Sequence, residues 1–181
     1  MLSSLPRAVA LAIPLLFAAV PAAHASTTGG VRPVKPPTVR PAAVPGNVAK
    51  LDRHGMARPP ANAPAAVKAA IYAGNKLQKK PYVYGGGHAS FRSRGYDCSG
   101  TVSYVLHAGR LLSSPLASGG LARWGRRGRG KWITVYAHGG HAYVMLAGLR
   151  LDTSGSGGKG PRWRPEQRSP RGFVARHPRG L

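Results

Sequence analysis

The sequence predicts an α+β domain, and three observations carry that prediction. Apolar residues recur at helical spacing over 65–79 and again from Cys98 onward. Alternating or β-branched segments then begin at Lys131, His141 and Arg150. Glycine-rich breaks separate these pieces, so two helices precede a run of short antiparallel strands.

Taken in order, residues 1–25 read as a secretion signal. Arg7 is their only charge, an apolar run covers 8–20, and Ala23-His24-Ala25 supplies a small-x-small cleavage site before Ser26. The apolar run is too short for a stable membrane anchor, and no later segment approaches spanning length. Residues 26–64 are rich in proline, small residues and scattered Lys and Arg without periodicity. They predict a semi-rigid, disordered basic tether, with Pro59-Pro60 as a piece that could pack on the domain surface. The folded domain is then expected over 65–181, long enough for one modest core.

Within that domain, Val67, Ala70, Ile71, Ala73 and Leu77 lie along one face of a helix over 65–79, which Pro81 stops. Tyr82-Val83-Tyr84 leads into Gly85-Gly86-Gly87, a loop suited to close backbone approach. Val102, Val105 and Leu106 give a second helix starting at Cys98, with Gly109 as its C-terminal cap. Residues 113–130 read as a Gly- and Arg-rich loop. Strands are expected at 131–136, 141–146, 150–153 and 172–176, with a tight turn at Ala147-Gly148 and a flexible loop at 155–160.

Cys98 is the only cysteine. Exported proteins usually pair their cysteines, so a lone one is a core residue, an intermolecular link or a working thiol. A helix start favours the last, because unpaired N–H groups and the helix dipole lower a thiol's pKa. A thiol nucleophile needs a base and a group that orients the base. His141 opens a strand, and Asp152 lies on the next strand across a tight turn, which brings both side chains to one face. Glu166, Gln167 and His177 are the other candidates after His141 for orienting an imidazole, and none lies on that neighbouring strand. His138 sits in a Gly loop, and His88 and His107 read as structural or exposed. His138 and His141 together with Cys98 match no zinc pattern, so no metal and no cofactor is expected.

The chain carries a formal net charge of +23 with only four acids, Asp52, Asp97, Asp152 and Glu166. Such a field concentrates polyanions near the surface. No groove-reading helix, zinc finger or stacking platform accompanies it, so nucleic acid is not the expected partner. Anionic wall polymers or lipid headgroups outside the cytoplasm fit both the charge and the export signal.

The pieces PYVYGGG, YDCSGTVSYVL and GHAYVML, followed by an acid on the next strand, resemble the NlpC/P60 family of cell-wall cysteine peptidases over roughly 65–181. The resemblance implies a papain-like α+β fold, with the cysteine-bearing helix packed on a small antiparallel sheet. It implies hydrolysis of peptidoglycan stem peptides, commonly between D-glutamate and a diamino acid, in the periplasm or the extracellular wall. Cys98 would then be the nucleophile, His141 the base and Asp152 the orienter. Tyr82 would sit by the thiol, and Asp97 and Ser99 would match positions that bind the substrate's free amino end. Tyr84 replaces a tryptophan found in several members. The span from His141 to Asp152 is shorter than usual, a difference assigned to the turn at Ala147-Gly148-Leu149. Other readings stay open at this point: an amidase cutting the sugar–peptide junction or a related thiol acyltransferase, and a non-catalytic cationic envelope-binding protein.

Overall fold

A computed structural model describes residues 42–155, 157, 159–165 and 167–181. The expected signal, the first part of the tether and Glu166 lie outside the described residues. In chain order the elements are β1 (Lys50–Leu51), β2 (Ala57–Arg58), α1 (Ala65–Leu77), α2 (Cys98–Ala108), α3 (Ser118–Leu121), β3 (Arg126–Arg127), β4 (Ile133–His138), β5 (His141–Leu146), β6 (Leu149–Asp152), β7 (Arg162–Arg164) and β8 (Val174–His177). The architecture is α+β. Six of the strands form an antiparallel sheet in the order β3-β8-β4-β5-β6-β7, and β1 and β2 form a separate hairpin.

Pleating explains the two faces of the sheet. Ile133, Val135 and Ala137 of β4, Ala142, Val144 and Leu146 of β5 and Leu151 of β6 are all fully buried, at 0% exposure. They meet Val67, Ala70 and Ile71 of α1 and Val102, Val105 and Leu106 of α2 in one apolar core. The opposite face carries Tyr136, His138, Tyr143 and His141, and Phe173 lies across the rings of His138, Tyr143 and His141. The β5–β6 turn is the two-residue connection Ala147-Gly148, with φ of 47° and 86°, between the paired Leu146 and Leu149. Continuing its register beyond Val144 and Leu151 puts Asp152 beside Tyr143 and diagonal to His141, on one face.

Several elements differ from the sequence expectation. The segment 42–64 is not a loose tether: Val44, Ala49, Ala57 and Ala63 are buried, and Ala49 N–H donates to Ala147 O at 2.8 Å. Asn75 explains the attachment. Its amide bonds both the N–H and the C=O of Ala57, at 2.8 and 2.9 Å, and its Oδ1 also accepts from Trp163 Nε1 at 2.8 Å. Helix α1 ends at Leu77 rather than residue 79, where the chain tightens into turns in which Gln78 N–H reaches Asn75 O and Lys80 N–H reaches Leu77 O, and Pro81 bars any further helix. Gly109 is the C-cap of α2 but has φ of −78°, and the left-handed position falls on Arg110, with φ of 59°. A Cβ at Gly109 would lie 2.9 Å from Ala66 O, so this glycine serves the close approach of α2 to α1. Strand β3 lies within the stretch 113–130 expected as loop, and β7 forms at 162–164, for which the sequence predicts no element; both are arginine-rich.

Candidate active site

Cys98 is the first residue of α2. Asp97 caps that helix, its Oδ1 accepting from Gly100 N–H at 2.7 Å and its carboxylate also taking Gly85 N–H at 3.1 Å. The glycine loop therefore reaches the helix start through backbone, and Asp97 N–H in turn donates to Gly86 O at 3.2 Å. A Cβ on Gly100 would stand 2.0 Å from Gly86 O. Only glycine fits between loop and helix there.

The structure brings Cys98, His141 and Asp152 together. Asp152 Oδ1 lies 2.9 Å from His141 Nε2, which leaves Nδ1 as the nitrogen available to the Cys98 thiol. Burial pushes that thiol up, but hydrogen bonds from the His141 side chain and Ala142 N–H, with the imidazole charge, outweigh it and lower the Cys98 pKa overall. Asp97's charge works against them. For His141, burial pulls downward, yet the bonds to Asp152 and Cys98 raise it to about 9. Asp152 is fully buried; burial lifts its carboxyl, and the bonds from His141 and Ser154 bring it down to about 2. Three shifts agree in sense: thiolate, imidazolium and carboxylate are the favoured forms.

Asp152 has more partners than the sequence reading foresaw. Ser154 gives it both N–H, at 2.9 Å, and Oγ–H, at 3.0 Å. Arg168 Nη1 donates to its Oδ2 at 3.1 Å, and Arg150 Nε lies 3.8 Å away. Arg168 belongs to the chain between β7 and β8, where nothing in the local pattern marks one arginine among many. The shortage of acids was the one usable signal, since each carboxylate in so basic a chain is bound to draw cations.

Tyr82 stands at the rim, 40% exposed, and burial with the nearby Cys98 and Asp97 charges raises its phenol pKa, keeping it a hydrogen-bond donor. Asp97 and Ser99 were expected to meet a substrate amine, but both are buried, at 4% and 2% exposure. His88 covers them, its Nε2 lying 2.9 Å from both Asp97 Oδ2 and Ser99 Oγ. The bonds the two residues make here are internal ones that join loop to helix. His107 is likewise engaged, with Nδ1 facing Leu112 O and its ring stacked on Phe91 at 3.8 Å. Among the described residues no group of three or more His, Cys, Asp or Glu side chains could hold a metal ion. No helix among them is long and apolar enough to cross a membrane.

No family model and no curated protein matches the chain. Solved structures do. The chain is similar to the peptidoglycan hydrolase RipB of Mycobacterium tuberculosis, with 26% identity and a TM-score of 0.48 over 61% of this chain and 64% of that one. It is similar to the P60 domain of antigen MAP1204 of M. avium subspecies paratuberculosis, with 27% identity and a TM-score of 0.47 over 61% of this chain and 93% of that one. RipD of M. tuberculosis, a non-catalytic NlpC/p60 domain protein adapted to peptidoglycan binding, is 18% identical with a TM-score of 0.48, over 64% and 98% of the two chains. The matched part thus spans less than two thirds of the RipB chain. The P60 and NlpC/p60 domains among these structures are the type that the sequence motifs resemble.

Proposed function

We propose that this chain is a secreted cysteine peptidase that hydrolyses peptide bonds in peptidoglycan stem peptides, with D-glutamyl–diamino acid as the bond. The observation that carries the reading is the Cys98–His141–Asp152 constellation, held with its thiol lowered and its imidazole raised. The family motifs in the sequence supply the substrate class.

In this reading the Cys98 thiolate adds to the scissile carbonyl, and N–H groups at the start of α2 receive the oxyanion. His141 imidazolium protonates the departing amine as the C–N bond breaks, leaving a thioester on Sγ. A water then loses a proton to His141 and adds to the thioester, and collapse expels Cys98 as thiolate with the acid product. Asp152 keeps the imidazole in the tautomer and orientation that both proton transfers need. Tyr82 presents its phenol at the rim as a donor to substrate. The basic surface holds the enzyme to anionic wall polymers or lipid headgroups. A cleft of about 260 Å³ lined by Arg129, Lys131, Trp132 and Tyr136 is one place for such a contact.

Purified peptidoglycan and free tripeptide and tetrapeptide stems, incubated with the protein or with C98A and analysed by mass spectrometry, test the reading. Newly freed diamino acid termini that vanish in C98A are the expected result. Intact stems released from sugar would make the enzyme an amidase. Wall binding with no cysteine-dependent product would leave a non-catalytic envelope-binding protein.

A further inference from the structure

The partners of Asp152 carry an inference that rests on the thiol-peptidase reading and goes beyond its three reacting groups. His141 Nε2 and Arg168 Nη1 occupy different oxygens of one carboxylate, at 2.9 and 3.1 Å, so two cations share a single buried anion. Arg168 is fixed there from several sides. Its Nη1 also donates to Ser154 Oγ at 2.6 Å, and its guanidinium lies over the rings of Tyr143 and Phe173, 5.4 and 5.0 Å from their centroids. Phe173 is also edge-on to the His141 ring, at 6.2 Å. Phe173 thus bounds both cations on one side, while their side chains keep 18% (His141) and 31% (Arg168) exposure, so their repulsion is reduced by solvent but less than in bulk water.

We propose that Arg168 is a positioning residue of this site: by occupying the second oxygen of Asp152 it opposes the charge on His141 and keeps the imidazolium acidic enough to surrender its proton to a leaving amine. A carboxylate that served His141 alone would hold the imidazolium too firmly for the acid half of the cycle. The other groups around His141 are Cys98 from α2, Asp152 and Arg150 from β6, Tyr143 on its own strand and His138 on β4, with Asp97 and Tyr82 beyond the thiol. Of these, Arg150 is the other permanent cation, and its Nε stands 3.8 Å from Asp152 Oδ2, outside hydrogen-bonding distance. Ser154 N–H holds Asp152 Oδ1 without help from Arg168, whereas Ser154 Oγ, which donates to Oδ2, itself accepts from Arg168 Nη1. Loss of the Arg168 charge therefore need not displace the carboxylate, and charge and position can be separated.

The test compares wild type, R168Q and R168K by NMR titration of ¹⁵N-histidine-labelled protein, with the thiolate's ultraviolet absorbance followed in parallel. Arg168→Gln keeps a donor but removes the charge, and its His141 midpoint should rise by about one pH unit, about a tenfold weaker proton release. Arg168→Lys should restore most of the wild-type value. R168M, compared with R168K, reads the same effect should R168Q fail to fold. A midpoint unmoved or lowered in a folded, uncharged variant overturns the inference while leaving the peptidase reading intact. A wild-type thiol that titrates independently of His141 overturns that reading, and this inference with it.

Discussion

Gly100→Ala sets two familiar effects against each other at the helix that carries the thiol. Alanine is the better helix former, so propensity alone would stabilise α2 by about 1 kcal/mol. The added Cβ, however, would sit 2.0 Å from Gly86 O and 3.1 Å from Gly87 Cα. It must recede by about 1 Å to reach the closest distance real Cβ atoms show, and both sides of the contact are backbone, so no rotamer change relieves it. Parting loop from helix strains the bonds Asp97 N–H to Gly86 O and Gly85 N–H to Asp97 Oδ2, each contributing about 1 kcal/mol. With about 2 kcal/mol of overpacking strain, the sum outweighs the propensity gain. The variant should be about 2–3 kcal/mol less stable, a fall in Tm of about 5–10 °C. Urea unfolding followed by fluorescence of the buried Trp132 and Trp163 measures it. Iodoacetamide alkylation of Cys98 at mildly acidic pH should also slow, because the helix start moves away from His141. A variant as stable as wild type, or more so, would refute the packing argument.

Other consequences follow from the same geometry. Asp152→Asn removes the anion that holds His141 near 9, so the imidazole midpoint should fall by more than one pH unit and the Cys98 midpoint should rise, both readable by NMR and thiolate absorbance. Stability should depend on pH in two separate windows. Asp152, lowered from 3.8 to about 2, contributes about 2 kcal/mol that is present above pH 4 and lost as pH falls through 2. His141, raised from 6.5 to about 9, contributes stability that is complete below pH 6.5 and lost as pH rises through 9, and H141A should flatten that alkaline limb in urea titrations. Starting the chain at residue 65 instead of 42 should lower Tm by about 10 °C or more. It deprives Asn75 of both Ala57 partners and uncovers core, and Asn75→Ala in the longer chain should reproduce part of the loss, about 2 kcal/mol.

The parts of the fold legible in the sequence were those with a strong period or a strong punctuator. Strand β5 begins and ends where the alternation from His141 to Leu146 does, and α2 begins at Cys98, the start that the helical spacing of Val102, Val105 and Leu106 predicts, with Asp97 as a cap that the structure adds. The juxtaposition of His141 with Asp152 also followed from a local fact, a two-residue turn between adjacent strands. What stayed hidden depends on contacts between distant segments. The attachment of 42–64 rests on one asparagine on α1 that also meets Trp163, and proline-rich composition gave no sign of it. Strand β7 owes its place to pairing with β6, since Arg-Trp-Arg has no strand pattern of its own. Arg168 reaches the site from a segment without periodicity, and His88 covers Asp97 and Ser99 only because the loop after Gly87 folds back.

All three acidic side chains among the described residues are occupied locally. Asp52 takes the N–H groups of His54 and Met56, Asp97 closes a helix, and Asp152 lies beneath an arginine. The lysines and arginines of the exterior consequently have almost no carboxylates of their own to lean on, and electroneutrality must be met by small anions drawn from the medium. Contact with a polyanionic gel would exchange that loose atmosphere for fixed charge and free the small ions, an entropic gain that shrinks as salt is added. Transport through such a gel would then resemble passage down an ion-exchange column: residence lengthens in dilute medium and shortens in brine. How far the protein moves through such a gel would then be set by ionic strength.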